Sequence, residues 1–168
     1  MQIYDEKTKA EIRWKIATDF VNYIPHVFDE EFRKISAGRC DAKIKEAELK
    51  IYKEAAKMER KYALTLNFPL DTALDIANAH EFISNAIFGS DMKGEVTEEK
   101  NDSARITTKS CPMLNLSINK GTDIRITSEL CSVFTKAAVE SLNPAYKLIF
   151  QKSMCNRDQV CEVLIIKK

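Results

Sequence analysis

Apolar positions in the first half of the chain recur at helical spacing. Ile12, Ile16, Phe20 and Ile24 stand four apart, which makes one face of a helix over residues 5–24. Trp14 lies off that line and marks a second contact. Pro25 should end the helix, because the residue before a proline avoids the α region. Phe28, Phe32 and Ile35 then mark a short helix over 28–37, stopped by Gly38. Asp41 is placed to cap a longer helix over 42–64. Its apolar stripe is Ile44, Ile51, Ala55, Met58 and Tyr62, and the opposite face, rich in Lys and Glu, reads as solvated. Asn67-Phe68-Pro69 breaks the pattern. A fourth helix over 71–88 carries Ala73, Ile76, His80, Ile83 and Ile87 on one face and ends at Gly89.

From about residue 93 the pattern becomes extended. Segments 94–100 and 104–109, rich in Thr, Val and Ile, flank an Asn101-Asp102-Ser103 turn and predict a β-hairpin. It is polar on both faces, which places it at a sheet edge or partly in solvent. Ser110-Cys111-Pro112 opens a short helix that Asn119-Lys120-Gly121 closes. A further helix over 127–142, capped by Thr127 or Ser128, buries Leu130, Phe134, Ala137 and Ser141, with Cys131 beside them. Asn143-Pro144 stops it. Tyr146, Leu148 and Phe150 alternate on the first strand of a closing hairpin. Val163 to Ile166 form a continuous apolar run on the second, which predicts burial on both faces.

A chain of 168 residues fits one domain, with a helical part over 1–90 and an α+β part over 91–168. No apolar run approaches the roughly 18 residues that span a bilayer, and the N-terminus carries no apolar signal core. The net charge of +1, from 26 basic and 25 acidic residues, argues against nucleic acid or a membrane surface as partner. Five cysteines are an odd number, so a disulfide framework is not expected, and a reducing cytoplasmic setting fits.

Four of those cysteines, Cys111, Cys131, Cys155 and Cys161, lie in the last third of the chain. Cys111 precedes a proline where a helix begins. There the free backbone N–H groups and the helix dipole favour an anion, and hence a thiolate nucleophile or metal ligand. Cys131 falls on a helix beside Leu130 and Phe134. Cys155 and Cys161 flank a hairpin connection that can bring two sulfurs close. If all four converge, they form a ligand set for zinc or an Fe–S cluster. Their spacing is not that of a zinc ribbon. His80 has two readings: a core histidine satisfied by one hydrogen bond, or a side chain pointing into a ligand pocket. His26, beside Pro25, reads as a loop residue. Glu129, Glu140 and Asp158 are candidate acids. The phosphate-loop, dinucleotide, zinc-protease and serine-hydrolase motifs are absent from the sequence.

The order and spacing of Cys111-Pro112, Leu130-Cys131, Phe134, Glu140, Asn143-Pro144, Phe150, Lys152, Asp158 and Cys161-Glu162 carry a resemblance. Over roughly residues 108–166 the chain resembles the L-2-amino-thiazoline-4-carboxylic acid hydrolase-like family. The same cysteine-ended hairpin is similar to the 4-vinyl-reductase-type small-molecule-binding domains, which share an α+β fold with haem-NO-binding and vesicle-tethering (TRAPP-like) families. The first resemblance implies hydrolytic opening of a small cyclic C–N/C–S compound and carries Cys111, Cys131 and Cys161 onto matching cysteines. We infer Cys111, Cys131 and Asp158 as catalytic residues, and His80, Phe134 and Glu140 as the side chains against the ligand. The sequence departs from that family at Asn115, Thr135, Ala138 and Arg157, where acidic, thiol or glycine positions are lost. The alternative is a non-catalytic sensor that binds a small molecule or metal through the cysteines. Either way the expectation is an α+β domain, with a helical layer on an antiparallel sheet of two hairpins and a pocket near Cys111 and Cys131. A homodimer fits the exposed strand edge and the long amphipathic helix.

Overall fold

The computed structural model describes residues 6–39 and 41–168. Six helices and four strands follow in the order α1 (Glu6–Ser36), α2 (Asp41–Ala56), α3 (Met58–Thr65), α4 (Ala73–Phe88), β1 (Lys93–Glu99), β2 (Ser103–Ser110), α5 (Pro112–Lys120), α6 (Ile124–Leu142), β3 (Tyr146–Lys152) and β4 (Cys161–Lys167). The strands form one antiparallel sheet in the order β1-β2-β4-β3, so the C-terminal strand lies between the two hairpins. The predicted α+β architecture is what forms. Of the first hairpin only β1 is an edge strand; β2, expected to be polar on both faces, is internal and buries Ala104 and Ile106.

The core fills the space between α4, α6 and one face of the sheet. Ile76 and Ile83 of α4 meet Ala104 and Ile106 of β2, Val163 and Ile165 of β4 and Leu148 of β3, with Val139 and Leu142 of α6 alongside. Strand alternation explains that choice, because every second residue of each strand points inward. It also corrects the expectation for Val163 to Ile166. Only Val163 and Ile165 are buried, while Leu164 and Ile166 are half-buried on the outer face. That face carries a charge network instead: Arg105 reaches Glu99 at 2.9 Å and Glu162 at 3.1 Å, and Lys152 reaches Glu162 at 2.7 Å.

Helix α1 runs through Pro25 rather than stopping there. Proline removes one backbone donor, but side chains pin the helix on both sides of it. Ahead of Pro25, the Trp14 indole donates to Ala86 O at 2.9 Å and the Asn22 amide to Phe88 O at 3.2 Å. These contacts satisfy carbonyls that the end of α4 would otherwise leave unpaired. Behind it, Arg33 pairs with Asp29 and, across to α2, with Glu48. His26 is accordingly a half-buried helix residue, not a loop residue. The face that α1 turns inward is that of Trp14, Thr18 and Asn22. Ile12 and Ile16 from the expected stripe are 51% and 63% exposed, while residue 5, the expected start of the helix, and the Phe20 side chain lie outside the described residues. Gly89, at φ 93°, lets the end of α4 pass against the Thr18 side chain.

The expected helix over 42–64 divides at Lys57 into α2 and α3. Its buried face is Ala56, Glu59 and Ala63, whereas Ile51, Met58 and Tyr62 face outward. Small residues mark the inner side because the backbone comes close to α6 there. Helix α6 starts one turn earlier than expected. Asp123, not Thr127 or Ser128, caps it by accepting from Arg125 N at 2.9 Å. Thr127 is buried and shares a 2.7 Å hydrogen bond with Ser117 of α5.

The two ends of the sheet and the start of α4 meet at Asp102. Its carboxylate accepts from Ala73 N at 2.9 Å and from the Tyr146 hydroxyl at 2.6 Å. Thr72 and Asp75 complete a reciprocal cap on the same helix. Replacing Tyr146 by Phe removes the link to Asp102 while keeping the ring in the core. We expect a loss of about 1–2 kcal/mol, because a hydrogen bond to a charged group is lost. Urea denaturation should show a lower midpoint with an unchanged m-value.

Candidate functional site

A cavity of about 80 Å³ opens where α4, α5 and α6 meet the inner face of the sheet. Helix α4 contributes His80, Glu81, Ser84 and Phe88 at helical spacing. The start of α5 brings Cys111, Pro112 and Met113, and α6 brings Cys131, Phe134 and Thr135. Ile106, Thr108, Phe150, Cys161 and Val163 form the sheet wall. Two further cavities adjoin it. One of about 20 Å³ is bordered by all four described cysteines, and one of about 210 Å³ lies across Phe88, Met113 and Phe134 towards α1 and α2. Phe88 and Phe134 meet edge to face at 6.0 Å on that boundary.

The pocket therefore forms where the sequence places it, near Cys111 and Cys131. Phe134 lines it, and His80 meets both of its readings, as a core histidine with one hydrogen bond and as part of the cavity wall. Cys111 is the N-cap of α5, also as expected. The chemical consequence differs. Burial pushes its thiol pKa up, and this outweighs the nearby amides of Leu114 and Met113. Its sulfur makes no capping hydrogen bond. Cys131 is pushed up to about 12, first by burial and then by the neighbouring cysteines, against the opposing hydrogen bond with Thr135. Burial and the neighbouring Cys111 and Cys161 push Cys155 up to about 11. In a site with little water, a cluster of thiols keeps its protons.

Two candidates lie elsewhere. Asp158 is exposed and closes its own loop by accepting from Ser153 N at 2.7 Å. Glu140 is exposed and pairs with Lys168 at 2.8 Å. Neither reaches the cavity, because Asp158 sits on the outer turn of the hairpin and Glu140 on the solvent side of α6. Glu129, the third candidate acid, pairs with Lys45 on the surface. The four cysteines gather round one small space. Yet among the described residues no three His, Cys, Asp or Glu side chains stand together as a metal-holding group. The tetrahedral zinc or Fe–S arrangement expected of Cys111, Cys131, Cys155 and Cys161 is not formed here.

The sequence reading missed Glu59. It falls on the face taken as solvated, but only 1% of it is exposed, and its Oε2 lies 2.8 Å from His80 Nδ1. Burial alone would lower the His80 pKa, but the charge and hydrogen bond of Glu59, with Glu81 further away, raise it above its ordinary value. The other Glu59 oxygen, Oε1, is buried without a partner among the described residues. The available signal was the run of Ala56, Glu59 and Ala63, which puts one acid between two alanines on a single helix face. Glu81 also borders the cavity, where its carboxylate accepts from the Asn85 amide at 2.8 Å and rests over Gly94. Ser84, buried one turn beyond His80, was missed as well.

No protein-family model matches the chain, and no curated protein matches it. Among solved structures it is similar to a trafficking protein particle complex subunit 3 from Naegleria fowleri, described as covalently bound to palmitic acid. The identity is 12%, the TM-score 0.59, and the alignment covers 92% of this chain and 96% of that one. At that identity the likeness concerns the fold, and this chain has the α+β, TRAPP-like fold.

Proposed function

We propose that this chain is a binding domain for a small apolar or amphipathic molecule, held between α4, α5, α6 and the sheet. The observation that carries this reading is the character of the cavity. Its walls are mostly apolar side chains, with His80, Ser84, Thr108 and Thr135 as the few polar groups; the Cys111 and Cys131 thiols are shifted towards their protonated forms, and the carboxylate at its border, Glu81, is already engaged by Asn85. Enclosed apolar space with a few polar groups is the usual form of a ligand site. The structural neighbour supports the reading, since palmitic acid is an amphipathic molecule of this kind. No described helix is long and apolar enough to cross a membrane.

A second reading is hydrolytic opening of a thiazoline-type ring. One observation favours it: Cys111 and His80 border the same cavity, and His80 is backed by Glu59. That chemistry needs a thiolate or an activated water, and an acid for the leaving atom. Burial of Cys111 and the outward position of Asp158 weigh against it.

Self-association belongs to the same proposal. Phe28, Phe32 and Ile35 of α1 are 58%, 52% and 76% exposed, which is an apolar stripe of the kind that partners cover. A second copy is the partner we propose for it. Sedimentation should show a dimer that the double change F28E/F32E converts to a monomer. A monomeric starting protein would refute this part.

Two measurements separate the readings. Native thiol labelling across pH should be slow for Cys111 at neutral pH and rise about tenfold per pH unit above it, as expected of a thiol still protonated there. A rate for Cys111 that is fast and flat by about pH 7 would instead favour the hydrolytic reading. Titration with medium-chain alkyl compounds should show one site per chain and a negative heat-capacity change. Thr108→Phe, which fills the cavity from β2, should abolish that binding without unfolding the protein. Unchanged binding in that variant would place the ligand elsewhere.

A further inference from the structure

His80 and Ser84 lie one turn apart on α4 and border the same cavity. They are 6% and 2% exposed, and both face walls formed by Phe88, Ile106, Phe134 and Val163. Glu59 approaches His80 from behind. It holds Nδ1 at 2.8 Å and takes no part in the lining, so Nε2 is the ring's free polar atom. Among the described residues the buried polar side-chain atom left without a partner is Glu59 Oε1, so Nε2 and the Ser84 hydroxyl are not sealed off but open on the cavity. Two polar groups one turn apart on the wall of a largely apolar cavity suit a ligand that offers each of them a partner.

We propose that His80 and Ser84, with Glu59 behind them, are the head-group subsite of this cavity and select an amphipathic monocarboxylic acid. This deepens the binding reading above and rests on it. The carboxylate accepts from Nε2–H with one oxygen and from the Ser84 hydroxyl with the other, while the apolar part lies against Phe88, Ile106 and Phe134. A longer chain extends into the 210 Å³ cavity by parting Phe88 from Phe134.

The protonation state of His80 sets this preference. Glu59 accepts from Nδ1–H in either state. A neutral ring would leave Nε2 as an acceptor, suited to an alcohol, whereas the imidazolium makes Nε2 a donor, suited to a carboxylate. Glu59 favours the imidazolium. The groups around the ring are Glu59 from α3, Glu81 on α4 itself, and the Cys111, Cys131 and Cys161 side chains that line the same cavity. Glu81 opposes an anionic ligand, but its carboxylate is turned to Asn85 and over Gly94. The start of α5 at Cys111 and Met113 borders the same space, and its dipole favours the anion.

The test is calorimetry on the full chain with octanoate, 1-octanol and methyl octanoate, at about pH 6 and about pH 8. Octanoate should bind about tenfold or more tightly than the other two at the lower pH, the gain from a hydrogen bond to a charged group. Its advantage should shrink as pH rises through the raised His80 pKa, since the imidazolium is lost there. Ser84→Ala should weaken octanoate several-fold and leave 1-octanol unchanged. Glu59→Gln should remove the pH dependence. If Glu59→Gln fails to fold, Ser84→Ala decides the matter alone. Equal affinity for all three compounds, or octanoate binding that ignores Ser84→Ala, overturns the head-group subsite and leaves the binding reading standing. If none of the three binds, both fail together.

Discussion

Glu59 and His80, buried side by side between α3 and α4, constrain everything packed around them. Removing a carboxylate from water is costly, and its partner repays that cost only when the geometry is held. Deleting one member of such a pair typically destabilises by about 3–5 kcal/mol, because the other is left buried and uncompensated. The pair therefore fixes α3 against α4 at one point, while the opposite side of α4 packs on β2 and β4. It also gives the cavity a polar spot on an apolar wall. Because the His80 pKa is raised, its share of stability is present below its ordinary value of 6.5 and is lost as pH rises through the shifted value.

Close helix packing around that point depends on small side chains. Ala56, Ala63, Ala73, Ala77 and Ala79 are fully buried, and Ala137 and Ala138 of α6 pack against Ala56. Large apolar residues on α1 to α3 consequently lie on the outside, where Phe28, Ile35, Ile51 and Leu64 stand more than half exposed. The interior is closely packed on one side of α4 and opens into cavities on the other, towards Phe88 and Phe134. A rigid sheet and a pinned α4 thus frame a space whose walls are phenylalanine and methionine side chains, which can adjust to a guest.

Much of this was legible in the sequence. Strand alternation in Tyr146, Leu148 and Phe150 gave the inner face of the second hairpin. Asn101-Asp102 gave the turn of the first, and the Cys111-Pro112 pair gave the start of α5. The pocket's position followed from Cys111 and Cys131. What the sequence concealed depends on which face of a helix is inside. Periodicity of large apolar residues pointed to Ile51, Met58 and Tyr62, but an interface built on alanines turns the helix the other way and carries Glu59 inward. Pro25 misled for a related reason: the anchors that hold α1 on the end of α4, Trp14 and Asn22, find their partners 72 and 66 residues away. The effect of the N-cap position on Cys111 could be anticipated, but its burial could not, and burial decides the sign of its shift. Asp158 and Glu140 appeared functional by order along the chain, whereas three-dimensional placement commits them to a hairpin turn and a surface ion pair.

Glu59 and His80 act as a charged pair only if the imidazole carries its second proton. An NMR titration of the His80 imidazole in the ligand-free protein measures that state directly. We expect a midpoint above 6.5 that falls when Glu59 is changed to Gln. A midpoint below 6.5, unmoved by Glu59→Gln, would mean that burial prevails over the carboxylate, and would contradict the account.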